Sequence, residues 1–222
     1  ATAVIDLSMQ FADRGYECDV ELISQVIGRL ADIQVRDFAM GTHNAETFDV
    51  YWAFLTSQIN WIPFFLLILY LVVKNNHWKA VLLIVLFVGL TVLITNETTD
   101  FFKESFERLR PNNEPFLEGK IRALKDPQSF SFISGHASNS TAVITFIYLL
   151  FRKKYPWVCL FFIWPLIFGY SRIYLGVHYP TDILAGYVWG SLMGILVFRL
   201  YSLVSRSFPI YEQSEKTDKP NT

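Results

Sequence analysis

Residues 183–204, ILAGYVWGSLMGILVFRLYSLV, decide the fold. A bilayer core takes about 20 apolar helical residues. This run has that length and carries one charge, Arg199, near its end. Gly186, Gly190 and Gly194 fall on one helical face. Small residues at that spacing let another helix approach closely. Packing within the chain is the plainer use of the stripe, and a dimer face is the other, so monomer and homodimer both stay open.

Working outward, similar runs recur. Trp78–Thr95 is apolar throughout, and Ala137–Phe151 is shorter. Pro156–Tyr170 is aromatic-rich, with Pro165 as the expected kink. Val50–Val73 is interrupted by Thr56, Ser57, Gln58 and Asn60, with Pro63 as a break or start. These runs predict an all-α polytopic transmembrane bundle of five spans. Composition agrees: 52% of residues are hydrophobic and 17% aromatic, 20 of them Phe. The net charge of −1 offers nothing to a nucleic acid. Two cysteines, Cys18 and Cys159, make no disulfide framework, and Cys159 reads as a small packing residue.

The chain divides into three parts. Residues 1–47 are acidic and mixed, without the basic start and apolar core of a secretory signal. Within them, residues 20–40 place Ile23, Val26, Ile27 and Leu30 on one face, which predicts an amphipathic helix. Residues 48–205 hold the membrane domain. Residues 206–222 are polar and read as a disordered tail.

Basic residues set the orientation. Lys74 and Lys79, then Arg152, Lys153 and Lys154, then Arg199 and Arg206 alternate correctly to share the cytoplasmic side. Loops 96–136 and 171–182 then share the outer side, and they carry most of the ionisable chemistry.

In the second of these loops, Pro180 fits a first helical turn, with His178 just before it and Asp182 within it. A carboxylate there can hold one imidazole nitrogen and leave the other as a nucleophile. Alone, the pair also fits an Asp cap beside an interfacial His. Ser134-Gly135-His136 precedes Ala137–Phe151. Ser134 is an N-cap candidate, Gly135 permits close backbone approach, and helix-start N–H groups bind anions. His136 could give a proton to a leaving alkoxide. Alone, this is also an ordinary helix entrance. Lys103 and Arg110 lie about two helical turns apart and can share a face, while Pro111 ends any helix at Arg110. With Arg172 they supply three cations that suit phosphate oxygens. Any one of them could instead reach for the interface, and Arg108 reads as doing only that. Two His and one Asp could bind a metal, but three cations around them would repel one, so the expected metal and cofactor complement is none. His43 and His77 receive no role.

Lys103–Pro111 (KESFERLRP) fits K-x6-R-P, Ser171–Asp182 (SRIYLGVHYPTD) fits S-R-x5-H-x3-D, and Ile133–His136 (ISGH) fits P-S-G-H with Ile for Pro. In these motifs and their order, residues 48–201 resemble the type-2 phosphatidic acid phosphatase family. The resemblance implies a metal-independent lipid phosphatase, and a sixth span before Val50. It implies that His178 attacks phosphorus to give a phosphohistidine and that Asp182 orients it. His136 would protonate the leaving group and later activate water. Lys103, Arg110, Arg172 and Ser134–Gly135 would bind the phosphoryl oxygens. The implied substrate is a phosphomonoester or pyrophosphate on a lipid, with polyprenyl pyrophosphate the first choice. The implied location is a bacterial inner membrane, with the site facing outward. Transfer of the phosphoryl group to another acceptor would use the same residues. A transporter or scaffold is the alternative from a different class.

Overall fold

The computed structural model describes residues 45–117 and 124–207. The expected amphipathic helix at 20–40, the rest of residues 1–44 and the tail from residue 208 lie outside them. The described residues form six α-helices and no strand. These are α1 (Ala45–Leu55), α2 (Ile62–Asn75), α3 (Trp78–Phe106), α4 (Gly135–Phe151), α5 (Ile163–Tyr174) and α6 (Pro180–Ser207). A 3-10 segment, Pro156–Phe162, leads into α5.

Four segments are long and apolar enough to cross a bilayer: Gln58–Asn75, Trp78–Asn113, Pro156–Tyr174 and Pro180–Ser207. The fifth expected span, α4, has 17 residues, or about 25 Å of rise. It sits at the centre, packed most extensively on α6 and also on α3 and α5. Its Ala137, Ile144 and Phe146 are fully buried. The outer surface is apolar: Leu82 and Leu86 on α3, and Leu184, Val188 and Leu192 on α6, are exposed. A surface of that kind is suited to lipid rather than water. The chain is an integral membrane protein.

Three expectations are corrected. Val50–Val73 is not one span. The helix stops at Leu55, where Asn60 Nδ2 donates to the Phe54 carbonyl (2.7 Å) and Trp61 Nε1 to that of Leu55 (2.8 Å). Those side chains satisfy carbonyls that a helix end leaves open, and a new helix starts with Pro63 in its first turn. Pro165 does not lie in a helix interior, because α5 begins only at Ile163 and the proline falls in its first turn. Cys159 is exposed rather than packed inside.

The glycine stripe of α6 faces α4. A Cβ on Gly186 would come within 2.9 Å of the Ser134 carbonyl, one on Gly194 within 2.5 Å of the Ala142 carbonyl, and one on Gly190 would run into the Ser138 carbonyl. The two helices therefore touch backbone to backbone.

Helix directions sort the loops onto two ends. Tyr155 Oη donates to Asn75 Oδ1 (2.9 Å), joining the α2–α3 turn to the segment after α4. That end carries Lys74, Lys79, Arg152, Lys153, Lys154 and the Arg206 turn of α6. The segment after α3, the start of α4 and the α5–α6 turn meet at the opposite end.

Candidate active site

Gly176, in the left-handed region at φ 70, reverses the chain between α5 and α6. Its N–H donates to the Ile173 carbonyl (2.9 Å), and the next residues carry His178 to the start of α6. His178 is buried, and Asp182, in the first turn of α6, is fully buried. His178 Nδ1 lies 3.5 Å from Asp182 Oδ2 and 3.4 Å from Ser131 Oγ. On the other side of the ring, Arg110 Nη1 lies 3.2 Å from Nε2.

That last contact settles the tautomer. A guanidinium has only donors. Nε2 must therefore accept, and the ring proton sits on Nδ1, toward the carboxylate. Burial pushes His178 down to about 4, against the opposing pull of Asp182 and with the help of Arg110 and Arg172. The ring is neutral at ordinary pH.

Arg110 is held in place by two main-chain carbonyls and one hydroxyl. Its Nε donates to the Ser129 carbonyl (2.6 Å), Nη1 to that of Val177 (2.9 Å) and Nη2 to Ser129 Oγ (2.9 Å). It does not share a helix face with Lys103, as the spacing suggested. The helix ends at Phe106, Glu107 turns left-handed at φ 45, and Arg110 is extended before Pro111. Arg172, in the last turn of α5, is buried and donates from Nη1 to Thr56 Oγ1 (3.1 Å). Its Nε has no partner among the described residues.

Ser134 caps α4, its Oγ accepting the Ala137 N–H at 3.4 Å. Its own N–H donates to the Asp182 main-chain carbonyl (3.2 Å), which ties the start of α4 to the start of α6. Ile133, at the motif's proline position, is buried, and the Phe132–Ile133 peptide is cis. Lys103 Nζ pairs with Asp100 at 2.7 Å and lies beside Gly135, 3.7 Å from where a Cβ would stand. The His136 ring packs on Phe168, with centroids 5.3 Å apart. It is close enough to Arg172, His178, Lys103 and Arg110 for their charges to act on it. All eight residues singled out from the sequence thus lie at one end of the bundle.

A cavity of about 720 Å³ opens at Lys103, Gly135 and His136 and runs between α3 and α4 past Val88, Val92 and Val143. His178, Arg110 and Arg172 are buried and are not among the residues that line it.

Two residues at the site escaped the sequence reading. Arg108 does not reach for the interface. Its Nη1 donates to Asp182 Oδ1 (2.7 Å), and its guanidinium lies 3.8 Å from the Tyr179 ring centroid. Ser131 Oγ donates to Asp182 Oδ2. Arg108 stands at an unspecified position within Lys103–Pro111 and Ser131 two residues before Ile133–His136, and neither carried a signal of its own.

Residues 80–206 match the PAP2 superfamily. The chain belongs to that superfamily. A lipid A 4'-phosphatase of Bacteroides thetaiotaomicron is 33% identical over 81% of this chain and 78% of its own. An undecaprenyl-diphosphatase of Sulfolobus acidocaldarius is 33% identical over 64% of each. The crystal structure of a PAP2-type phosphatidylglycerolphosphate phosphatase from Bacillus subtilis superposes with a TM-score of 0.57 at 23% identity. It covers 90% of this chain and 96% of that one. That likeness supports a PAP2 fold, and the relatives named here are lipid phosphate hydrolases.

Proposed function

We propose that this PAP2 enzyme hydrolyses a phosphate ester on a lipid through a phosphohistidine at His178. The observation that carries the reading is the pair of contacts on one ring: a carboxylate at Nδ1 and, at Nε2, a guanidinium of the kind that binds phosphate oxygens. The first holds the ring proton. The second supports the reading because the same guanidinium could bind an oxyanion next to Nε2.

The phosphoryl group enters by the cavity past His136 and Lys103, with the lipid chain along Val88, Val92 and Val143. Its oxygens take hydrogen bonds from Arg110, Arg172, Lys103 and the first N–H groups of α4. The Arg110 bond now given to Nε2 passes to oxygen, which frees the lone pair. As the Nε2–P bond forms, the P–O bond to the lipid breaks and His136 gives its proton to the departing oxygen. The arriving anion offsets the crowded positive charge and lets His136 carry that proton. Water then attacks phosphorus, His136 takes a proton from it, the N–P bond breaks and inorganic phosphate leaves. Fixed cations stabilise the charge that builds on the equatorial oxygens, and no step uses a metal.

The extent of the similarity to lipid A 4'-phosphatases moves the first choice of substrate from a polyprenyl pyrophosphate to a phosphomonoester on a glycolipid. The outward face of the inner membrane is the proposed side, opposite the basic end. The test is phosphate release in detergent from lipid A, a polyprenyl pyrophosphate and phosphatidylglycerophosphate. Turnover of at least one is expected, unaffected by EDTA and inhibited by vanadate. His178→Ala should fold and lose at least about 10⁴-fold in kcat. Wild-type turnover in that variant would end the phosphohistidine reading.

A further inference from the structure

Asp182 is sealed from water, and every contact to its carboxylate comes from a group held by something else. Oδ2 accepts from the Tyr179 N–H (3.0 Å) and from Ser131 Oγ, and faces His178 Nδ1. Oδ1 accepts from Arg108 Nη1 at 2.7 Å. Arg108 is itself fixed three ways. Nη1 also donates to Thr181 Oγ1 (3.0 Å), the guanidinium lies over Tyr179, and its carbonyl accepts the Ser131 N–H (2.8 Å). One residue thus reaches both carboxylate oxygens: Oδ1 through its side chain, and Oδ2 through its main chain and Ser131. Arg108 is not one of the residues that line the cavity, and among the described residues no hydrogen bond joins it to His178.

From this geometry, and resting on the phosphohistidine reading, we infer that Arg108 is a positioning residue for the nucleophile. It keeps Asp182 an ionised acceptor aimed at Nδ1. A buried carboxylate without a partner cation favours its neutral form. A protonated Asp182 could no longer hold the Nδ1–H, and the ring would lose the tautomer that leaves Nε2 free. When Nε2 bonds to phosphorus the ring becomes cationic, and the ionised carboxylate is what stabilises it. The other charged groups facing this pair are His178 itself and Arg110, with Arg172 acting on His178. Both arginines belong to the proposed phosphate clamp, which leaves Arg108 as the cation assigned to the carboxylate.

The test compares Arg108→Met, Arg108→Lys, Asp182→Asn and the Arg108→Met/Asp182→Asn double variant, on whichever lipid phosphate the wild type hydrolyses. Arg108→Met should lower kcat by about 10²-fold or more, within the range of a lost acid–base partner, and leave KM within about threefold. The acid limb of its kcat profile should move alkaline by about one pH unit or more. Arg108→Lys should recover most of kcat. The double variant should be within about threefold of Asp182→Asn alone, because both changes break one device. A rise in KM at unchanged kcat would place Arg108 on the phosphate instead and overturn the inference, and so would independent, multiplying losses in the double variant. If Arg108→Met does not fold, Arg108→Gln takes its place, removing the charge while keeping a polar side chain, with the same kcat loss, KM and acid-limb shift expected. A wild type that hydrolyses no lipid phosphate would sink the proposed function alone. The inference then stands or falls on ¹⁵N NMR of the His178 ring, which should keep its Nδ1–H form in wild type and lose it in Arg108→Met.

Discussion

At the level of single side chains, burial works against charge on His178 while Asp182 works for it, and burial wins. The folded ring takes a proton only near pH 4, against 6.5 for an ordinary imidazole. Between those values the unfolded chain binds a proton that the folded one refuses. This residue's contribution to stability is therefore whole above about 6.5 and is lost as pH falls toward about 4. In ¹⁵N-histidine NMR of the detergent-solubilised protein, the His178 ring should remain neutral at pH 5.5. A midpoint above 6 would contradict its burial beside Arg110. Side-chain type together with spacing and flanking residues was enough to single out His178, His136, Asp182 and the three cations from the sequence. Arg108 and Arg110 flank Leu109 and are alike in type, and in the sequence only the following Pro111 and the motif spacing set Arg110 apart. Only the left-handed turn at Glu107 and the extended backbone at Arg110 send one to Asp182 and the other to His178.

Among the elements, the α4–α6 contact decides whether a site exists. Ser134 begins α4 and Asp182 begins α6, and the glycine stripe lets the two helix starts come close enough for Ser134 N–H to reach the Asp182 carbonyl. Gly190→Leu puts a side chain against the Ser138 backbone, which cannot move aside as a flexible side chain would. Overpacking of that kind costs about 1–3 kcal/mol and pushes the helix starts apart. The expected result is a lower Tm in detergent together with lost turnover. Gly89→Ala is the control. Nothing lies within 4 Å of a Cβ there, so the change should be neutral, or stabilising by up to about 1 kcal/mol as for other helix-interior glycines. Equal destabilisation by both substitutions would mean that the stripe has no special role. The stripe was legible in the sequence. Which helix it met was not, because spacing names a face without naming its neighbour.

The whole molecule is a bundle with two unlike ends. Lys74, Lys79 and Arg152–Lys154 gather at one, and the proposed catalytic groups at the other. With the basic end in the cytoplasm, Asn113 faces outward and Lys153 inward. Asn113→Cys and Lys153→Cys, each in a background lacking Cys18 and Cys159, can be treated with a membrane-impermeant maleimide on intact cells. Asn113→Cys should label at once and Lys153→Cys only after lysis. The reverse pattern would put the site in the cytoplasm and rule out the proposed side.

Apolar runs of bilayer length, and the order of three polar motifs between them, were readable from the chain itself. Hydrophobicity and local spacing are properties of neighbouring residues, and a bilayer admits few folds that satisfy the backbone. The break after Leu55 was foreshadowed by Thr56, Ser57, Gln58, Asn60 and Pro63, whereas the late start of α5 and the partners of Arg108 and Ser131 appeared only in the tertiary structure. Arg108 and Ser131 both donate to the carboxylate of Asp182, 74 and 51 positions further along the chain, a distance that local spacing does not span. A cation's role follows from the anion it meets, and that meeting spans residues 108 to 182 of the chain.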